Sequence, residues 1–399
     1  MKVITMVSIL LFCSIVSFAQ QQDIKRIDGS RIATHEVDRL VNELMTKAKV
    51  TGLALAILND NRVVYTSTFG YKNKQKLKLL DRSTVLYGAS FSKAVFAFLT
   101  LKLVEEGVLD LNKPLFQYLD KPLPEYEEYA DLAGDERWRL ITTRMCLSHT
   151  TGFQNLRFID PRKGVFDPSG KLAIYFQPGT KYGYSGEGLK LLQLVIEKVT
   201  GKDLESIAVE KVFMPIGMKR SSYVWQPTFE DNFAYPHSAR EETQGKKKRK
   251  RAGGLGSLET TITDYSKFIE YVMQDKGLGK QMRRAMISPQ IQINSKYQFP
   301  TVSDETTTEN QDINLSYGLG WGLLQTKYGR AFFKEGHDDG WQNYNINFKD
   351  KGISIIVMTN SDNGESIFKE LLEKVIGDTF TPWEWERYIP YDSEKKDTN

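Results

Sequence analysis

Gly88-Ala89-Ser90-Phe91-Ser92-Lys93 is the stretch on which the reading of this chain turns. An extended run, Thr84 to Tyr87, leads into it. An apolar helical pattern leaves it, carrying Val95, Phe98, Leu99, Leu101 and Val104, and stops at Gly107, a C-terminal glycine. A serine hydroxyl is a poor nucleophile at neutral pH unless a base lies within hydrogen-bond reach. Residues three apart share a helix face, so Ser90 at the helix start and Lys93 one turn later can meet. The free N–H groups of the helix start point at any oxyanion formed there. Lys93 needs a lowered pKa to serve as a base, which burial or a second cation supplies.

The pattern S-x-x-K is weak by itself. Ser366-Ile367-Phe368-Lys369 and Ser393-Glu394-Lys395-Lys396 share it, the first in an amphipathic helix, the second in a polar tail. Only Ser90 stands between an extended segment and an apolar helix. Gly88 and Ser90 also nearly match the G-x-S-x-G elbow of the α/β-hydrolases, but Ser92 holds the last glycine position. The parallel βα units that such a fold places between its serine and histidine are missing.

Outward from this point, Thr34 precedes a helical pattern with Val37, Leu40, Val41, Leu44 and Met45 on one face. Leu53 to Leu58 and Val63 to Phe69 read as two strands around Asn59-Asp60-Asn61. Residues 110 to 300 are mainly helical pieces, loops and aromatics. Tyr344 to Phe348 and Ile353 to Thr359 form a second strand pair. A last helix carries Ile367, Phe368, Leu371, Leu372 and Val375. The order predicts an α+β protein, an antiparallel sheet flanked by helices and built from both termini. The sheet lobe takes about 30–110 and 300–380, and a mainly helical lobe is inserted over about 110–300. A cleft between the lobes is the default site.

Composition narrows the chemistry. The 399 residues carry a formal net charge of +4 and include only two Cys and four His. That excludes a disulfide scaffold and Cys-rich zinc modules, and no H-E-x-x-H occurs. No metal or other cofactor is expected, and the chemistry falls to hydroxyl, amine and phenol groups. Lys2, the apolar run Val3 to Val16 and Ser17-Phe18-Ala19 read as a signal peptide over residues 1–19, cleaved after Ala19. The run is too short for a stable membrane span. An exported, periplasmic or secreted protein is expected, in which Cys146 is a small buried apolar residue. The run Lys246 to Arg251 holds six positive charges, so the rest of the chain is net negative. With an export signal present, nucleic acid is not an expected partner, and the run reads as a solvated loop.

Several segments, in order, resemble the serine β-lactamase and penicillin-binding-protein superfamily, especially the branch of class C β-lactamases, DD-peptidases and esterases. Ser90-Phe91-Ser92-Lys93 comes first, then Ile141 to Gly152, similar to "ITIRHLLTHTSG". Tyr184-Ser185-Gly186 stands in the place of Y-x-N. Gly253-Gly254-Leu255 through Asp264 resembles "GGLxSTxxD", and Tyr317 to Trp321 resembles "YGLGW". Gly336-His337-Asp338-Asp339-Gly340 falls where the family has K-T-G or H-x-G. The resemblance implies a β-lactamase-like fold with Ser90 as acylated nucleophile, Lys93 as its base, and Tyr184 sharing the base role and returning a proton. It implies His337 on the sheet side of the cleft, touching substrate or the Tyr184–Lys93 network, and His149 as structural. The oxyanion site would combine the Ser90 N–H with one from the strand near Asp339 or Gly340. Gly186 in place of Asn and Asp339 in place of Gly depart from the pattern and disfavour carboxylate-bearing β-lactams. Small esters and short D-amino-acid peptides, the latter pointing to peptidoglycan, are the expected substrates ahead of β-lactams. The alternative is a catalytically altered penicillin- or peptidoglycan-binding protein.

Overall fold

The computed structural model describes residues 23–393. The expected leader with Cys13, and the end of the third S-x-x-K segment, lie outside these residues. In chain order the main elements are α1 (Thr34–Ala48), β1 (Gly52–Asn59), β2 (Arg62–Asn73), β3 (Lys78–Leu79), β4 (Leu86–Ala89) and α2 (Phe91–Glu105). The middle holds α3 (Thr143–Leu147), α4 (Gly186–Thr200) and β5 (Leu258–Thr260), with a further twelve-residue helix over Ile262–Met273 and long loops and shorter helical turns between. Then follow β6 (Ile291–Gln292), β7 (Ser316–Tyr317), β8 (Gly322–Thr326), β9 (Gly329–Asp338), β10 (Trp341–Phe348), β11 (Ile353–Thr359) and α5 (Phe368–Ile376).

Nine strands form one sheet in the order β3-β2-β1-β11-β10-β9-β8-β7-β6, with every neighbour antiparallel. The chain's two ends meet in its middle, where β1 pairs with β11 from Leu53↔Thr359 to Leu58↔Ser354. The β1–β2 turn works because Asp60 and Asn61 both accept left-handed backbone (φ 49° and 59°), as a two-residue hairpin turn requires. Both central strands are buried throughout, since helices cover both faces. Ala54, Ala56, Leu58, Ile356 and Met358 face α2 and the inserted region. Leu53, Leu55, Ile57, Ile355 and Val357 pack on the apolar stripes of α1 and α5. The alternation along each strand assigns the two sets. The fold is thus α+β, an antiparallel sheet between helices.

α2 is apolar all round and buried along nearly its whole length, which makes it the axis of the first core. It is anchored at its start by a second, two-stranded sheet of β4 and β5. Among the described residues, no helix is long and apolar enough to cross a membrane.

The basic run is a loop exposed at Lys247, Lys248, Lys250 and Arg251, as expected, but the side chains of Lys246 and Arg249 turn inward. Lys246 is buried, with its ammonium 2.6 Å from the equally buried Glu259 carboxylate and over the Trp341 ring. The Arg249 guanidinium lies 3.8 Å from the Tyr87 ring centroid and pairs with Asp338, and Lys248 pairs with Glu230. Two of the six charges are thus held within the fold, and the others stand at the surface.

Cys146 lies on α3 in the α2-side core with no exposed surface, and burial pushes its thiol up. It should resist a thiol reagent in the native protein and react only at the rate of global unfolding. Kinetics of thiol titration across a urea series check this; fast native reaction would contradict the packing.

Candidate active site

β4 delivers the chain to α2 through a tight corner. Ala89 sits in left-handed backbone (φ 45°), rare for a residue with a Cβ, and Ser90 follows as the cap of α2. The Ser92 hydroxyl holds the corner shut, donating to the Ala89 carbonyl (2.5 Å) and accepting from the Leu258 N–H (2.9 Å). Ser90 therefore stands partly exposed at the end of a rigid helix.

One turn on, the Lys93 Nζ lies 2.9 Å from Ser90 Oγ and 2.5 Å from the Leu255 carbonyl oxygen. Lys93 is 3% exposed. Burial, reinforced by a second ammonium, that of Lys334, drops its pKa far below the ordinary lysine value. This second cation comes from β9 and is fully buried. Lys334 Nζ lies 3.1 Å from the Tyr184 hydroxyl and 2.9 Å from the Glu335 carboxylate. Tyr184 is also buried. The Lys93 and Lys334 ammonium positions each lie 5.0 Å from its ring centroid. Burial raises the phenol's pKa, with Lys334, Ser90 and their hydrogen bonds working the other way.

Tyr184 is held from behind. Ser185 caps α4, accepting from the Gly188 N–H, and its own N–H donates to His149 Nδ1 (3.1 Å). The His149 ring lies 4.4 Å from the Tyr184 ring, centroid to centroid. His149 is buried, and burial with the two nearby ammonium groups keeps it neutral. It touches Tyr184 as a wall of the site and is not placed on Ser90. The Phe299 ring meets Tyr184 edge-on, with centroids 5.6 Å apart.

The structure brings Ser90, Lys93 and Tyr184 together and redraws the sheet side. Along β9 side chains alternate, with Phe332 on the α2 side and Phe333 on the other. Lys334 and Gly336 therefore face α2, and His337 faces away. Its imidazole lies 3.3 Å from Glu365, not at the Tyr184–Lys93 network. A Cβ at Gly336 would fall 2.7 Å from the Gly88 carbonyl oxygen and 3.2 Å from the Ser90 nitrogen, so β9 passes against Ser90 at Gly336. Lys334-Glu335-Gly336, a K-x-G, thus occupies the place assigned to Gly336–Gly340, three residues earlier than the prominent histidine suggested. Gly340 lies in the β9–β10 turn, where its N–H donates to Asp362 Oδ1 (2.5 Å) and is not available to an oxyanion. Asp339 lines a small cavity with Pro236, Gln244 and Lys246, beyond the site.

Gly186 opens α4 beside the site, and its N–H donates to the backbone and side-chain oxygens of Asn155 (3.0 and 3.1 Å). A Cβ there would fall 2.7 Å from the Asn155 carbonyl oxygen. The missing Asn of Y-x-N is therefore tied to the close approach of Asn155, a residue the motif reading passed over.

A family model described as Beta-lactamase matches residues 37–376. The chain belongs to the beta-lactamase family. A D-aminopeptidase of Brucella anthropi is 25% identical over 354 residues, 84% of this chain and 61% of its own length. Penicillin-binding protein 4* of Bacillus subtilis is 23% identical, covering 84% of this chain and 73% of its own. The octameric penicillin-binding protein homologue of Pyrococcus abyssi superposes with a TM-score of 0.68 at 21% identity, over 89% of this chain and 80% of that one. The matched residues place the chain in the β-lactamase and penicillin-binding-protein superfamily. The chain spans about three-fifths of the D-aminopeptidase's length.

Restoring the family's asparagine by Gly186→Asn should destabilise this beta-lactamase-family chain by about 1–3 kcal/mol, because the Cβ meets backbone at Asn155. Urea unfolding measures it; an unchanged midpoint would show that Asn155 yields freely.

Proposed function

We propose that the protein is an exported serine hydrolase that works through an acyl-enzyme on Ser90. The observation that carries this reading is the buried Lys93 amine 2.9 Å from Ser90 Oγ, with its pKa lowered. As Oγ bonds to the substrate's carbonyl carbon, the hydroxyl proton passes to Lys93. The carbonyl oxygen takes up charge beside the Ser90 N–H and main-chain donors on the free edge of β9. Collapse breaks the bond to the leaving oxygen or nitrogen, which takes its proton from the Tyr184 hydroxyl. Lys93 returns a proton to the phenolate, so the site ends neutral and acylated. Water then attacks the ester by the reverse route.

Small esters and short D-amino-acid peptides suit this site better than β-lactams. Asp338 stands two residues beyond Gly336 on the same face of β9, and the Lys334 charge already has a carboxylate partner. A substrate carboxylate, whether of a β-lactam or of a free peptide C-terminus, gains little there, which favours esters and D-amino-acid amides or peptides without a carboxylate at the reacting end. The likeness to a D-aminopeptidase supports the peptide class. An intact Ser90, Lys93 and Tyr184 favours turnover over mere capture. The apolar run before Ala19 supports export.

A fluorophosphonate probe should label Ser90, and Ser90→Ala should abolish the label. Lys93→Met should slow labelling by about 10²–10⁴-fold. Intact-mass measurement with p-nitrophenyl esters, D-alanyl amides, D-Ala-D-Ala peptides and nitrocefin should show transient acylation by the first two. Labelling that persists in Ser90→Ala would sink the assignment, and a permanent adduct without turnover would favour a binding protein.

A further inference from the structure

Two lysines are buried against one tyrosine, and only one of them has an acid. Lys93 contacts Ser90 Oγ and the Leu255 carbonyl, both neutral acceptors. Lys334 contacts the Tyr184 hydroxyl and the Glu335 carboxylate. Glu335 is itself 4% exposed, and the same oxygen that takes Lys334 accepts from Gln298 Nε2 at 2.8 Å. Adjacent residues on a strand point to opposite faces, so this pair cannot form across a covered strand. It forms where β8 stops pairing with β9, at Gly322↔Phe333, leaving the β9 edge free from Lys334 onward. A buried ion pair is seldom a better source of stability than apolar packing, so its presence beside the nucleophile calls for another role.

We infer that Glu335 is a positioning residue of this site: its carboxylate holds the Lys334 ammonium on the Tyr184 hydroxyl, so that Lys334 keeps its proton and Lys93 is left to accept one. The inference rests on the serine-hydrolase reading. Two ammonium groups in one dry site oppose each other's charge, and the one with a counter-ion wins. The titratable groups facing Lys334 are Lys93, His149, Tyr184, Glu335 and Glu386. Burial holds His149 neutral, and burial together with the Glu335 charge pushes Glu386 up, toward its protonated form. Burial also works against charge on Glu335, but Lys334 and Gln298 overcome it and hold its carboxyl at about 2. Glu335 is therefore the anion that decides between the lysines. Burial would likewise lower Lys334, yet Glu335 and Tyr184 outweigh it and raise its pKa. Through Gln298, the same carboxylate ties down the loop whose next residue, Phe299, meets Tyr184 edge-on.

The pH profile of Ser90 labelling tests this. Its acid limb reports loss of the proton from Lys93, and its alkaline limb loss of the proton from Lys334. Glu335→Gln keeps the shape and removes the charge, so the Lys334 ammonium is destabilised. The alkaline limb should move down by about one pH unit or more. Glu335→Asp, which keeps the charge, should leave that limb near its parental position. A limb unmoved in a folded Glu335→Gln would overturn the inference. The parent chain gives a second readout that needs no Glu335 variant and no activity. With isotope-labelled lysine, and resonances assigned from Lys93→Met and Lys334→Met, Lys93 should lose its proton at lower pH than Lys334. The reverse order would overturn the inference. Absence of labelling at Ser90 in the parent would instead reject the hydrolase reading, with the lysine order still decided by the titration.

Discussion

The site depends on keeping two amines dry within reach of one phenol. Lys93 and Lys334 lie on different elements, α2 and β9, and both are fully enclosed. Water would leave each at its ordinary pKa and permanently charged. Enclosure changes that, and the neighbours then decide which one bears the charge. Most of the local architecture follows from this. Leu255 must present a carbonyl to Lys93, Glu335 a carboxylate to Lys334, and Tyr184 must lie between them. The left-handed corner at Ala89 and the glycine at Gly336 let the helix start and the strand approach closely enough to exclude solvent.

The charged segment 246–251 serves the same end from outside. Its Lys246 head inserts among Tyr87, Trp225 and Trp341 onto Glu259, and Arg249 pairs with Asp338. Tyr87 precedes the Ser90 corner and Asp338 ends β9, so the segment joins the two elements that carry Ser90 and Lys334. Arg249 bridges them directly, stacked on the Tyr87 ring and paired with Asp338. Burial works against charge on both Lys246 and Glu259, lowering one pKa and raising the other. Such a pair contributes register more than stability.

Local patterns carried much of the fold. The apolar runs Leu53–Leu58 and Ile353–Thr359, the turn at Asp60-Asn61 and the stripe Phe368–Val375 are short-range features, and each forms the element that its pattern implies. The pairing of β1 with β11 was inferable only from element order. In the site, Ser90 and Lys93 were legible because one helical turn spans them. Tyr184 was legible only through motif order, since nothing local distinguishes it from a buried loop tyrosine. Lys334 was missed although K-x-G stands in the chain, because the scarcity of histidine drew the reading to His337. Strand alternation turns that imidazole to the far face, and a choice of three residues in register is invisible without the position of Ser90.

The sequence by itself determined the candidate residue types of the site, the helix that pairs Ser90 with Lys93, and the strand and helix order that leads to an α+β fold. These depend on interactions within a few residues or on the period of apolar positions. Tertiary structure alone decided which lysine meets Tyr184, which face His337 takes, why Gly186 must lack a side chain, and where the basic run goes. Each of these depends on contacts between segments tens to hundreds of residues apart, where burial and the nearest counter-charge, not composition, set a group's state.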